Sequence, residues 1–182
     1  MYYTATIAAA NVIIILVNAL CAGKLWQTAL FSVLGTVSVI AFDGITAFLI
    51  RRLPEKWFAP EKNGFKVFRF EKRLYSKLKV KRLASFVPEL GGFTNFHKDK
   101  LESATDGEYL SRFLLESNYG VAIHIVNAVG GFVIGFLPFC GGAGIWLPVA
   151  CVNFVLSMLP VFILRNNTPS LLFLYKRAQK QK

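Results

Sequence analysis

Residues 25–50 and 113–164 contain no lysine or arginine, and none precedes Lys24. Apolar stretches of ~18 residues or more without such charges are what a bilayer crossing requires. Composition agrees: charged residues make up 17% of the chain, hydrophobic residues 54%, and mean hydropathy is +0.48. Soluble chains carry roughly 25% charged residues. The runs predict four transmembrane helices, at about 5–21, 25–50, 119–139 and 145–164. Each is close to the ~20 residues that cross a ~30 Å hydrocarbon core. Helices are required because backbone groups in lipid must be satisfied within the segment, and the alternation of a membrane β-barrel is absent. The fold class expected is therefore an all-α integral membrane protein, read as a single membrane domain over 1–182. The N-terminal run is read as a retained span: residues 1–6 have no basic n-region, and the apolar stretch outlasts a signal-peptide core.

Orientation follows from basic charge. Of 21 lysines and arginines, 15 lie between Arg51 and Arg112 and five lie from Arg165 onward. The positive-inside rule puts this central region, the basic tail at 165–182 and both termini on the cytoplasmic side of the cell membrane. Within 51–117, cations alternate with Phe, Trp, Tyr and Leu, as an interfacial segment needs. Pro54, Pro60, Pro88 and Gly91-Gly92 break it into pieces. Short interfacial helices are expected near 71–79 and 106–117, while the alternating stretch at 65–70 leaves extended and helical conformations both open. Nucleic acid is not expected as a partner, because the basic patch is tethered between spans and carries no nucleic-acid fold signature.

A few polar groups fall inside or beside the spans. Asp43 is deep in the second, where an unpaired charge costs a few kcal/mol or more. It is either part of a site or a neutral group that fixes helix packing. His124 can serve as a general base near neutral pH or as an interfacial hydrogen bonder. Glu116 lies eight residues earlier, ~12 Å away on a continuous helix. One substrate hydroxyl reaches both only if the helix breaks near 118–120. Asn153 and Pro160 sit in the last span, where Pro160 is expected to kink the helix or open its last turn. The run 165–169 (RNNTP) is expected to end that span sharply, with Arg165 placed to hold a phosphate or carboxylate, or simply snorkelling. His97, Asp99 and Glu102 have a conceivable ligand spacing but read as a solvated loop. Cys21, Cys140 and Cys151 read as small apolar residues in helix packing. No GxSxG, HxxxxD, P-loop or GxGxxG motif occurs, so neither a cofactor nor a metal is expected.

Five blocks carry a family resemblance: LPEKWF at 53–58, FKVFRFEKRLYSKLKVKRLASFVPELGGF at 65–93, ESNYGVAIH at 116–124, NFVLSMLP at 153–160 and RNNTPSL at 165–171. In order and approximate spacing they resemble the glycosyl-4,4'-diaponeurosporenoate acyltransferase family of carotenoid biosynthesis, from about the second span to the C-terminus. The resemblance implies esterification of a fatty acyl group to a sugar hydroxyl of a glycosylated C30 carotenoid acid. It makes Glu71, Glu116, His124, Asn153, Arg165, Asn167 and Pro169 matching positions. The resulting expectation is a membrane-embedded acyltransferase at the cytoplasmic interface. His124 would be the base and Glu116 its orienting group, or that of the acceptor. Asp43, Glu71, Lys79, Arg82, Asn153, Arg165 and Asn167 would be candidates for binding the substrate. Its partners would be a lipid or isoprenoid acceptor and an acyl donor, acyl-CoA or another. Two alternatives stand beside it: another small membrane lipid-modifying enzyme of methyltransferase or reductase type, and a non-catalytic lipid-binding scaffold.

Overall fold

The computed structural model describes residues 2–22, 24–84, 101, 103–138 and 141–180. These form six α-helices: α1 (Tyr2–Ala22), α2 (Leu25–Arg51), α3 (Arg69–Lys77), α4 (Val80–Leu83), α5 (Gly107–Ile134) and α6 (Ala143–Lys180). Two 3-10 turns, Glu55–Trp57 and Asn63–Phe65, lie between α2 and α3. No strand occurs among the described residues. Helices α1, α2, α5 and α6 are long and apolar enough to cross a membrane, which suggests a membrane protein. The chain divides into two compact units, Met1–Ile50 with Ile123–Met158, and Arg51–Ala122 with Leu159–Lys182.

The first unit holds most of the apolar helix length. Ile14, Val39, Ile145 and Val149 form its buried cluster, with Phe31 and Ile134 packed against it. Large side chains such as Ile13, Leu16, Val37 and Phe48 are more than half exposed on its outside, as lipid-facing helices require. Close approach and polar contacts join the helices, the two devices that work where lipid removes the hydrophobic drive between them. The Asn11 side-chain oxygen accepts from the Ser32 and Thr36 hydroxyls at 2.6 and 3.1 Å, tying α1 to α2. Asn18 donates to the Gly144 carbonyl, and Asn153 to that of Asn127. Near the end of α5, Gly130 and Gly131 on the helix and Gly135 just past it form notches. A Cβ at Gly130 would fall 2.0 Å from the Phe42 ring, one at Gly131 2.8 Å from Asn153 Nδ2, and one at Gly135 2.4 Å from the Trp146 ring.

The second unit is built on the first half of α5 and the second half of α6. Leu110, Phe113 and Leu114 pack against Leu171 and Ala178. Asp106 caps α5: its Oδ1 accepts from the Glu108 and Tyr109 amides at 2.9 and 3.2 Å, relieving two of the orphan N–H groups of a helix start. At the end of α3, Lys79 is left-handed (φ 50°), a conformation that usually selects glycine after a helix.

Three expectations are corrected. The helix foreseen at 106–117 and the span foreseen at 119–139 are one helix, α5, because Gly120 costs a helix only about 1 kcal/mol and buried packing on both sides outweighs that. RNNTP does not end the last span: α6 runs on to Lys180 because Leu171, Leu172, Leu174 and Ala178 bury on α5. The tail is therefore packed helix, the last part of an α6 of 38 residues, about 57 Å long at 1.5 Å per residue. Cys21 and Cys151, expected in helix packing, are exposed on their helices. The stretch left open at 65–70 is a 3-10 turn, a short unpaired extension and the start of α3. Pro88, Gly91-Gly92, His97, Asp99, Glu102 and Cys140 lie outside the described residues.

Candidate functional site

The second unit contains two carboxylates buried among polar groups. Glu71, on α3, is the more heavily held. Arg165 of α6 grips it with two parallel bonds, Nε to Oε2 at 2.7 Å and Nη2 to Oε1 at 2.8 Å. The Tyr75 hydroxyl donates to Oε2 at 2.7 Å, and the Phe68 amide to Oε1 at 3.2 Å. The latter bond is the reach-back of a glutamate at the third helical position to the amide before the helix. Arg165 spends its remaining reach on the Lys66 carbonyl at 3.0 Å. The Arg165 hydrogen bonds are the largest influence on Glu71. They overcome the cost of burial and, with those of Tyr75 and Phe68, bring its pKa from 4.5 to about 2. Burial and the neighbouring carboxylate push the Tyr75 phenol up to about 12. The fork geometry of a guanidinium on a carboxylate suits a fixed strut.

Glu116, on α5, is 3% exposed. Arg51 meets its Oε2 at 2.8 Å and Arg112 its Oε1 at 3.2 Å. Arg112 also lies 3.9 Å from Glu55. Further along α5, two residues bind the chain that follows α2: Asn118 donates to the Phe58 carbonyl at 2.8 Å, and the Tyr119 hydroxyl to that of Leu53 at 3.2 Å. The Tyr119 ring lies 4.3 Å from that of Phe58, centre to centre. The hydroxyl of Ser117, between Glu116 and Asn118 in the chain, is buried with no hydrogen-bond partner. A buried carboxylate gripped by two guanidiniums from different elements ties α5 to the end of α2.

The first unit carries the intramembrane polar groups. His124 is half-buried on α5. Asn127, one turn on, is buried, with its side-chain oxygen unpartnered. Asp43 Oδ1 is likewise buried without a partner. Asn153 lines an open groove among α1, α2 and α6. Its walls are mostly apolar, including Ile14, Val39 and Val149, with Asn11 and Thr36 as the other polar rungs.

A model of the glycosyl-4,4'-diaponeurosporenoate acyltransferase family matches residues 54–177. The chain belongs to this family. No curated protein and no solved structure matches it. Membership suggests an acyltransferase of carotenoid biosynthesis, which implies a lipid or isoprenoid substrate and an acyl donor. The span shared with the acyltransferase family contains the whole Glu71–Arg165 clamp, Glu116, His124 and Asn153; Asp43, Arg51 and α1 lie before it.

Of the candidate residues, the structure brings Glu71 and Arg165 into direct contact. Glu116 and His124 lie on one unbroken helix, so the break at 118–120 that one hydroxyl would need does not occur. Lys79 and Arg82 are exposed around α4, and Asn167 is exposed on α6. Sequence reasoning missed Tyr75, Arg51 and Arg112 as carboxylate partners. Arg112 was visible as an i,i+4 partner of Glu116. Among the described residues no three His, Cys, Asp or Glu side chains gather as a metal site would require.

Proposed function

We propose that this protein is a membrane-embedded acyltransferase that esterifies a fatty acyl group to a hydroxyl of a glycosylated isoprenoid, of the C30 carotenoid-acid type, at the cytoplasmic interface. The observation that carries the reading is the acyltransferase-family match over 54–177, about two thirds of the chain. The termini and the basic region after α2 are cytoplasmic in this reading, by the concentration of lysine and arginine there.

His124 is the proposed general base. It takes the proton of the acceptor hydroxyl as that oxygen attacks the acyl carbonyl carbon. The tetrahedral intermediate then collapses by breaking the bond to the donor's leaving group, which receives the proton back from the imidazolium. Glu116 acts as a positioning residue for the α5 segment on which the acceptor headgroup rests. Lys79, Arg82 and Asn167 supply exposed polar and cationic groups for a charged part of the donor, while Glu71 and Arg165 hold the elements that carry them. The groove lined by Asn153 takes an apolar chain, and Asp43 marks the polar part of the same bundle.

The test is a reconstituted assay with glycosylated C30 carotenoid acid and a series of acyl donors, read by the mass of the ester formed. His124→Ala is expected to reduce kcat 100-fold or more, in the range that general bases contribute, with substrate binding retained. Full activity in that variant refutes His124 as the base. Absence of any ester with every donor refutes the acyl-transfer reading.

A further inference from the structure

Helix α3 presents three faces in rotation. At 100° per residue, Glu71 and Tyr75 share the buried face, Phe70, Leu74 and Leu78 line up beside it, and Arg69, Arg73 and Lys77 follow. The middle stripe is uncovered: Phe70 is 67% exposed, Leu74 42% and Leu78 43%. Phe68, 59% exposed, stacks nearly parallel on Phe70 with ring centres 5.8 Å apart. The helix cannot roll to hide this stripe, because Arg165 pins the adjacent buried face through Glu71. Charge around the stripe is one-sided. Residues 66–82 contain eight lysines and arginines and a single acid, Glu71, whose charge Arg165 already takes.

A contiguous apolar stripe rimmed by cations is what a helix lying in a lipid interface presents: apolar residues sink to the acyl-chain boundary and cations meet phosphates. An acidic protein or a nucleic acid answers the cations but leaves two phenylalanines and two leucines in water. We propose that α3 is an in-plane anchor, with Phe68, Phe70, Leu74 and Leu78 inserted into the bilayer and Arg69, Arg73 and Lys77 bound to anionic phospholipid headgroups. This deepens the membrane part of the proposed function by naming the lipid partner and the residues that meet it. It does not depend on which reaction the protein catalyses.

The full chain, with Cys21, Cys140 and Cys151 replaced by alanine, is given a single cysteine by Phe70→Cys, Leu74→Cys or Arg73→Cys and labelled with a nitroxide. Each form is reconstituted in vesicles of phosphatidylglycerol or of phosphatidylcholine. Collision with oxygen, which concentrates in lipid, is compared with collision with a water-soluble nickel chelate. In phosphatidylglycerol, labels at 70 and 74 are expected to favour oxygen and the label at 73 the nickel chelate. That contrast is expected to shrink in neutral phosphatidylcholine. If all three labels meet the chelate alike, the stripe faces water or a soluble partner and the proposal is overturned. A contrast equal in the two lipids overturns the headgroup half of it. Because depth is read rather than turnover, an inactive enzyme with a buried stripe separates this proposal from the acyl-transfer reading.

Discussion

Replacing Glu71 by glutamine removes one charge from the clamp while keeping its shape. The pKa held at about 2 instead of 4.5 corresponds to on the order of 3 kcal/mol favouring the ionised form in the folded protein. Glu71→Gln also leaves Arg165, whose side chain is 12% exposed, without its carboxylate. Losing one partner of a fully buried pair costs about 3–5 kcal/mol. The clamp keeps some contact with solvent, so a cost of about 2–3 kcal/mol is expected. The sign of the pH effect follows from the depressed value. Ionised Glu71 stabilises the fold fully above its ordinary pKa of 4.5, and this contribution is lost as pH falls through about 2. The assay is unfolding of the purified protein in one detergent, followed by circular dichroism from pH 7 to pH 2, for wild type, Glu71→Gln, Arg165→Gln and the double variant. The wild type should lose its advantage over Glu71→Gln below about pH 4. The two single variants should fail to add, with a coupling of at least ~1 kcal/mol. A Glu71→Gln protein within ~0.5 kcal/mol of wild type, with the same acid profile, would refute the account of the clamp.

The two arginines on Glu116 should differ in weight. Arg51→Gln, removing a side chain 33% exposed and 2.8 Å from the carboxylate, should cost about 1.5–3 kcal/mol, and Arg112→Gln, 58% exposed, less than about 1 kcal/mol, in the same unfolding assay. Gly131→Ala should destabilise by about 1–3 kcal/mol through its clash with Asn153, whereas Gly44→Ala, with no atom within 4 Å of the new methyl, should be neutral or raise the melting midpoint. Lys79→Gly should stabilise the fold by up to about 1 kcal/mol by relieving the left-handed backbone. If Lys79 also binds the acyl donor, the same variant will raise the donor KM in the reconstituted assay.

The four apolar helices were legible because a bilayer demands long uncharged runs, and these runs are present without ambiguity. The start of α5 and the far end of α6 were not. Whether α5 breaks at 118–120 depends on Asn118 and Tyr119 finding the Phe58 and Leu53 carbonyls, 60 and 66 residues away, and no local pattern reports that. Similarly, RNNTP has the composition of a helix stop, and only the burial of Leu171 and Ala178 keeps α6 going. Glu71 and Arg165 were each singled out, yet their union spans 94 residues and could not be paired from spacing. One signal was present and informative: Gly131 and Gly135 stand four apart, the small-residue spacing that lets membrane helices approach closely.

Those glycine notches bear on how the protein is made. A chain leaves the ribosome N-terminal end first, so α5 emerges before α6. Until then the recesses at Gly131 and Gly135 have only lipid to fill them, for Asn153 and Trp146 have not yet left the ribosome. Phe42 on α2 is already present and can seat at Gly130 as soon as α5 arrives. The notches thus allow α5 to seat against α2 first and α6 last, and a nascent chain stalled ahead of α6 would present two open slots to the quality-control machinery of the membrane.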